Sequence, residues 1–365
     1  MIRLIKPIRK PVKREGAENY LLYTLLSFAV SVASTRLFLE LTGYPQLGNA
    51  ELHIAHVLWG GLLLFVASLV PLIFANRWVY VVGALCAGVG VGLFIDEVGK
   101  FITQSNDYFY PAAAPIIYAF FLLTVLVYFQ VRRPPRRDAR SELYRALDAI
   151  EEVLDRDLEE SEHAKLEARL KFVRETAIHP DLASLAEGLL AFITSDAIYT
   201  TPDTPTLWIR FRIWLRTIED RWISQRRLRA VLSGSLLALG GVSLVKLAQF
   251  LWALQNPAVL QSNLNELVAS AQISTTTALG WFYARLTLEG IVGLMLLVAS
   301  ILLIRGKERC GIQLGYIGLL LSLTTVNLLV FYFDQFSTII LATIQFLALL
   351  ALIHYRKKYL PRHIA

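Results

Sequence analysis

The chain has 365 residues, with 36 Lys and Arg against 29 Asp and Glu, and so a formal net charge of +7. Hydrophobic residues make up 55% and charged residues 18%, against about 25% charged in a soluble globular protein. Of the charged residues, 35 lie between Arg132 and Arg227. The remainder is too apolar for a soluble enzyme, and two cysteines in separate settings, Cys86 and Cys310, exclude a disulfide-rich secreted chain.

A membrane helix needs about 20 mostly apolar residues. Eight runs qualify, near 20–41, 52–75, 78–99, 112–131, 230–253, 277–304, 311–333 and 336–355. The first follows six bases (Arg3, Lys6, Arg9, Lys10, Lys13 and Arg14) and is too long for the h-region of a signal peptide, so it reads as a retained span. With the N-terminus inside, the short cytoplasmic segments hold those bases, Arg77, the Arg132–Arg137 run, Arg226, Arg227 and Arg229, the Arg305/Lys307/Arg309 loop and Arg356–Lys358. The opposite loops hold only Lys100. This asymmetry predicts a multi-pass cell-membrane protein with both termini cytoplasmic. The excess of base is therefore partitioned by topology and is no nucleic-acid signal. The expected fold class is an all-α, polytopic membrane helical bundle with a cytosolic helical insert. Its divisions are 1–131 (four spans), 132–228 (insert) and 229–365 (four spans).

In the third span, Gly83, Gly88, Gly90 and Gly92 predict close helix contact in the bundle core. In the insert, Leu143, Leu147, Ile150, Leu154 and Leu158, then Leu166, Leu170, Val173 and Ala177, follow three-four spacing and predict an antiparallel hairpin. A third helix is expected over 181–198. Thr204 and Pro205 open a fourth, Leu207–Ser224, basic and Trp-bearing. That helix either lies on anionic lipid headgroups or caps the hairpin. The insert holds no Gly-rich phosphate loop and no metal-spaced Cys cluster.

Ionisable residues inside spans cost about 2.5–3.5 kcal/mol each at mid-bilayer on insertion scales, so their placement is informative. Arg36 and Glu40 in span one, Glu51, His53 and His56 opening span two, and Asp96, Glu97 and Lys100 closing span three fall in the outer half, followed by Asp107. In the second half, Lys246, Arg285, Glu289 and Asp334 sit at comparable depth. Arg36 with Glu40, Arg285 with Glu289, and Asp96 with Lys100 are each four apart and can pair along one helix. His53, His56 and Glu97 could together hold a divalent metal such as Zn, Fe or Mn, although two histidines at a helix end can equally serve a hydrogen-bond network.

The stretches Leu52–Gly61 (LHIAHVLWGG) and Gly92–Thr103 (GLFIDEVGKFIT), followed by Asn106–Tyr110 (NDYFY), resemble a group of bacterial integral membrane proteins. The resemblance covers about the first four spans. It implies a bacterial inner-membrane setting and assigns no activity. Three functions suit the polar layer. Proton- or ion-coupled transport would use Glu40, Glu97 and the histidines as coupling groups, with Arg36 or Lys100 contacting an anion. A membrane-embedded, metal-dependent enzyme could act at the outer leaflet. A non-catalytic scaffold or sensor would use the layer to bind a partner, which could include further copies of the chain.

Overall fold

The computed structural model describes residues 11–43, 55–108, 110–134, 137–195, 198–202, 224–256 and 276–360. Among the described residues the chain is helical and has no strand. In order come α1 (Ala17–Thr42), α2 (His56–Ile73), α3 (Trp78–Asp96), the short α4 (Val98–Ile102) and α5 (Ala113–Arg132). Three helices rich in charge follow: α6 (Ala139–Leu154), α7 (Glu160–Thr176) and α8 (Pro180–Ile193). Then come α9 (Gln225–Gln255), α10 (Thr276–Ile304), α11 (Glu308–Leu321), α12 (Asn327–Asp334) and α13 (Ile339–Tyr359). A π-helical turn, Ser322–Val326, joins α11 to α12.

Among the described residues, eight helical stretches are long and apolar enough to cross a membrane: α1, α2, α3, α5, α9, α10, the Glu308–Asp334 run and α13. They carry outward-facing Leu62, Phe65, Leu72, Leu123, Leu126 and Phe129. That suits a polytopic helical bundle in lipid, where each helix satisfies its own backbone. The third span ends earlier than its hydropathy suggests. Glu97, at φ −91° and ψ 11°, leaves the helical path between α3 and α4. The expected helix Leu207–Ser224, with its headgroup contact, lies almost wholly outside the described residues, as do Glu51 and His53.

The described residues fall into two compact units, the first drawn from 1–31, 59–92 and 124–213, the second from 32–58, 93–123 and 214–365. In the first unit, α6, α7 and α8 pack Leu143, Ala146, Leu166, Leu170, Val173 and Leu190 into one core. Asp138 caps α6 by accepting the Ser141 N–H at 2.8 Å, and Glu159 and Glu162 form a reciprocal capping box on α7. This core is tied to charged residues flanking the spans. Arg14 meets Asp148 at 3.1 Å, Arg77 pairs with Glu152, and Arg169 grips Glu15 with two 2.5 Å hydrogen bonds. Gly88 and Gly92 of α3 lie against α1, and Gly90 against α2: a Cβ on Gly88 would sit 1.9 Å from Ser27 Oγ and 2.3 Å from the Thr24 carbonyl. Close approach of this kind is how helices associate in lipid.

In the second unit, Leu232, Leu236, Leu296, Leu303, Ile312, Leu319 and Leu352 interleave in a core built by α9, α10, α11 and α13. Ser300 donates to the Ser233 carbonyl at 2.8 Å, and Asn327 donates to Gln345 Oε1 at 2.9 Å. Tyr118 of α5 donates to the Leu323 carbonyl, within the π turn, at 2.5 Å and rests on Phe331 with ring centroids 4.7 Å apart. A π turn disturbs the regular carbonyl ladder of its helix. Here a phenol from another helix satisfies one of its carbonyls.

Candidate functional site

The second unit gathers one residue from α1, one from α2, and several from the α3–α4 corner and the loop after it. Arg36 Nε donates to Asp96 Oδ1 at 2.5 Å, and its terminal nitrogen donates to the Asp96 carbonyl at 3.0 Å. Asp96 is completely buried, Glu97 is 2% exposed and Arg36 is 8% exposed. Buried charges at this level persist only when paired and hydrogen-bonded.

His56, at the first position of α2, stands between the two acids. Its Nε2 lies 3.1 Å from Asp96 Oδ2, and its Nδ1 lies 3.1 Å from Glu97 Oε1. Lys100 Nζ donates to the same Glu97 oxygen at 3.1 Å. Arg36 and Lys100 therefore balance Asp96 and Glu97 in formal charge, and His56 is additional. A neutral imidazole has one N–H donor and one acceptor, whereas ionised carboxylates only accept. The Nε2 contact with Asp96 has hydrogen-bond geometry, whereas Nδ1 approaches Glu97 at ion-pair distance.

The loop after α4 closes the group. A Cβ on Gly99 would stand 2.6 Å from the Asp107 carbonyl, so glycine lets the loop lie directly on α4. Thr103 Oγ1 donates to the Gly99 carbonyl and accepts the Asp107 N–H, both at 2.8 Å. Asn106 makes the turn at φ +52°, a left-handed conformation that asparagine tolerates better than most residues. Tyr108 is thereby brought over the network. Its hydroxyl donates to Asp96 Oδ2 at 2.6 Å, and its ring lies 4.4 Å from the Arg36 guanidinium carbon. Burial, reinforced by the charge of Asp96, pushes the Tyr108 phenol far above its ordinary value, so it remains a donor. His56 and Lys100 form the more open edge, with side chains 22% and 25% exposed.

A second cluster in the same unit holds Arg285, which binds Asp334 in a two-pronged contact, one arm at 2.8 Å. Arg285 Nε also donates to Glu289 Oε1 at 3.4 Å. Lys246 lies with Glu289 on the wall of a small cavity.

The candidate residues thus separate. Arg36, His56, Asp96, Glu97 and Lys100 meet, whereas Glu40 is exposed. Arg36 crosses to Asp96 rather than pairing with Glu40 along its own helix, and Lys100 takes Glu97 rather than Asp96. Arg285 does reach Glu289, and adds Asp334. Asp107 contributes its backbone to the loop. Of the three side chains expected to hold zinc, iron or manganese, His53 is outside the described residues. His56 and Glu97 touch, and no group of three or more His, Cys, Asp or Glu that could hold a metal ion occurs among the described residues. Tyr108 and Tyr118 were not among the candidates, because a loop aromatic and an aromatic in an apolar span carry no spacing signal.

Eight apolar helices with charges buried at their ends fit a multi-pass membrane protein. No family model, no curated protein and no solved structure matches the chain.

Proposed function

We propose that Asp96, His56 and Glu97 hold one exchangeable proton, and that the protein uses it in proton-coupled transport. The observation that supports this is one imidazole standing 3.1 Å from each of two buried carboxylates, whose charges Arg36 and Lys100 already balance. Arg36 and Tyr108 orient Asp96, and Lys100 donates to Glu97. The partly open His56–Lys100 edge is the entry for the proton. The scarcity of Lys and Arg in the loops on this side of the spans supports an extracytoplasmic position for the edge.

The reading is tested with the full chain in vesicles carrying an entrapped pH indicator and an imposed proton gradient. Proton flux should exceed that of empty vesicles and fall by about tenfold or more in His56→Gln and Glu97→Gln, the loss expected when a general acid–base group is removed. Flux equal to that of empty vesicles, or unchanged in both variants while they remain folded, overturns it.

A further inference from the structure

The first unit contains a cavity of about 310 Å³, within the range that small-ligand sites occupy. Its wall is formed by Lys13, Arg14 and Glu15, just before α1, and by Arg140, Arg145 and Asp148 of α6, with Tyr144 beside them. The contacts of these residues fix its place in the fold. Lys13 Nζ donates to the Val131 carbonyl, at the end of α5, at 2.7 Å and to the Arg133 carbonyl at 3.4 Å. The Arg14 guanidinium carbon stands 3.9 Å from the centre of the Tyr80 ring, in the first turn of α3. The starts of α1 and α3 and the end of α5 therefore lie together, and the cavity sits between these span ends and the charged helical core.

Its charge selects an anion. The two wall carboxylates are already engaged. Arg169 holds both oxygens of Glu15 at 2.5 Å, and Asp148 takes Arg14 at 3.1 Å and Arg77 at 3.9 Å. With their ion-pair partners, the wall residues bring six cations (Lys13, Arg14, Arg77, Arg140, Arg145 and Arg169) against four carboxylates (Glu15, Glu18, Glu142 and Asp148). Asp138, which feels the charge of Arg140, still leaves a cation in excess. Arg137 and Glu152, one contact further out, cancel each other. Lys13 commits its three donors to Glu18 and the two carbonyls, and so anchors the segment before α1. Arg14 gives one nitrogen to Asp148, out of the five N–H donors of a guanidinium, and its side chain is 39% exposed. The Arg140 guanidinium carbon lies 5.4 Å from the centre of the exposed Tyr144 ring.

We infer that this cavity binds the phosphate of an anionic phospholipid headgroup, with Arg14 and Arg140 as its ligands. Guanidinium groups match phosphate oxygens with paired N–H donors, and basic pockets beside membrane helices hold headgroups of this kind. The position at the span ends favours a lipid over a free phosphate. Acyl chains can run along the outward-facing side chains of α5, among them Leu126 and Phe129. A metal cation would add to the excess positive charge. The bound headgroup ties the segment before α1 to α6.

The test is calorimetric titration of the full chain in a neutral detergent with short-chain phosphatidylglycerol, short-chain phosphatidylcholine and glycerol phosphate. Phosphatidylglycerol should bind saturably and more tightly than the other two. Its affinity should fall by about tenfold or more in Arg140→Gln, as expected for the loss of one charge-assisted hydrogen bond. Arg14→Gln combined with Arg140→Gln should weaken it further. Arg309→Gln, which removes an exposed base flanking another span, should leave it unchanged. Arg14 also holds Asp148, so Arg140→Gln alone decides the matter should the double variant fail to fold. Equally tight binding of phosphatidylcholine or of glycerol phosphate, an equal loss in Arg309→Gln, or full affinity in Arg140→Gln overturns the inference.

Discussion

Arg36 and Asp96 illustrate how a charged residue survives inside an apolar helix. Each is buried, and each satisfies the other along with a neighbouring backbone or phenol group. Removing one partner strands the other, at a cost of about 3–5 kcal/mol for a buried pair, whereas replacing both with apolar residues can be nearly neutral. Arg36→Met should therefore lower the unfolding midpoint in detergent sharply, and Arg36→Met with Asp96→Leu should recover most of the loss. Additive losses in the double variant would show that Tyr108 and His56 hold the corner without Arg36. At this scale the sequence listed most of the members but not their pairing. Spacing of four on one helix pointed to Glu40, yet the short contact across helices is the buried one, and Glu40 is exposed.

At the scale of the elements, hydropathy was a sound guide because a helix in lipid must satisfy its own backbone whatever it packs against. The exceptions occur where tertiary contacts reshape a helix. The π turn at Ser322–Val326 lies within a stretch whose hydropathy is uninterrupted, and the break at Glu97 falls inside the expected 78–99 span, where its charged residues begin. Glycine spacing in α3 was also legible, and the structure distinguishes one glycine from another. A Cβ at Gly88 meets backbone at 2.3 Å, whereas one at Gly83 meets nothing closer than 3.5 Å. Gly88→Ala should destabilise by about 1–3 kcal/mol through overpacking, and Gly83→Ala should be near neutral. Thermal melts of the two variants in the same detergent check this, and equal midpoints would contradict the close packing of α3 on α1.

Across the whole molecule, charge patterning carries two kinds of information. The bases flanking the spans predict an orientation. Some of them also pair with carboxylates of the first unit's helical core, through Arg14–Asp148 and Arg77–Glu152. Glu15 and Arg169 add to this attachment. Burial raises the Glu15 carboxyl, but the hydrogen bonds and charge of Arg169 outweigh it, and the net value lies below the ordinary one. A carboxylate depressed in the folded state contributes stability above its unfolded value, about 4.3 for Glu, and that contribution disappears as the pH falls through the folded value. Hydrogen exchange in α7 should accordingly quicken as the pH falls below about 4.3, after correction for the intrinsic rate. Glu15→Gln should show the faster exchange already at neutral pH. Protection that is the same in both proteins would mean that the Glu15–Arg169 contact does not hold α7.

By itself the sequence determined the membrane setting, the number of candidate spans and the concentration of polar residues near helix ends. Those properties follow from length, local hydropathy and the cost of burying charge, all of which are additive along the chain. Only the tertiary structure decided which charges meet across helices: His56 between Asp96 and Glu97, and Asp334 joined to the Arg285–Glu289 pair that the spacing already predicted. Pairing depends on the approach of helices distant in sequence. That approach is set by small residues and turn geometry, which leave no periodic trace in the charges themselves.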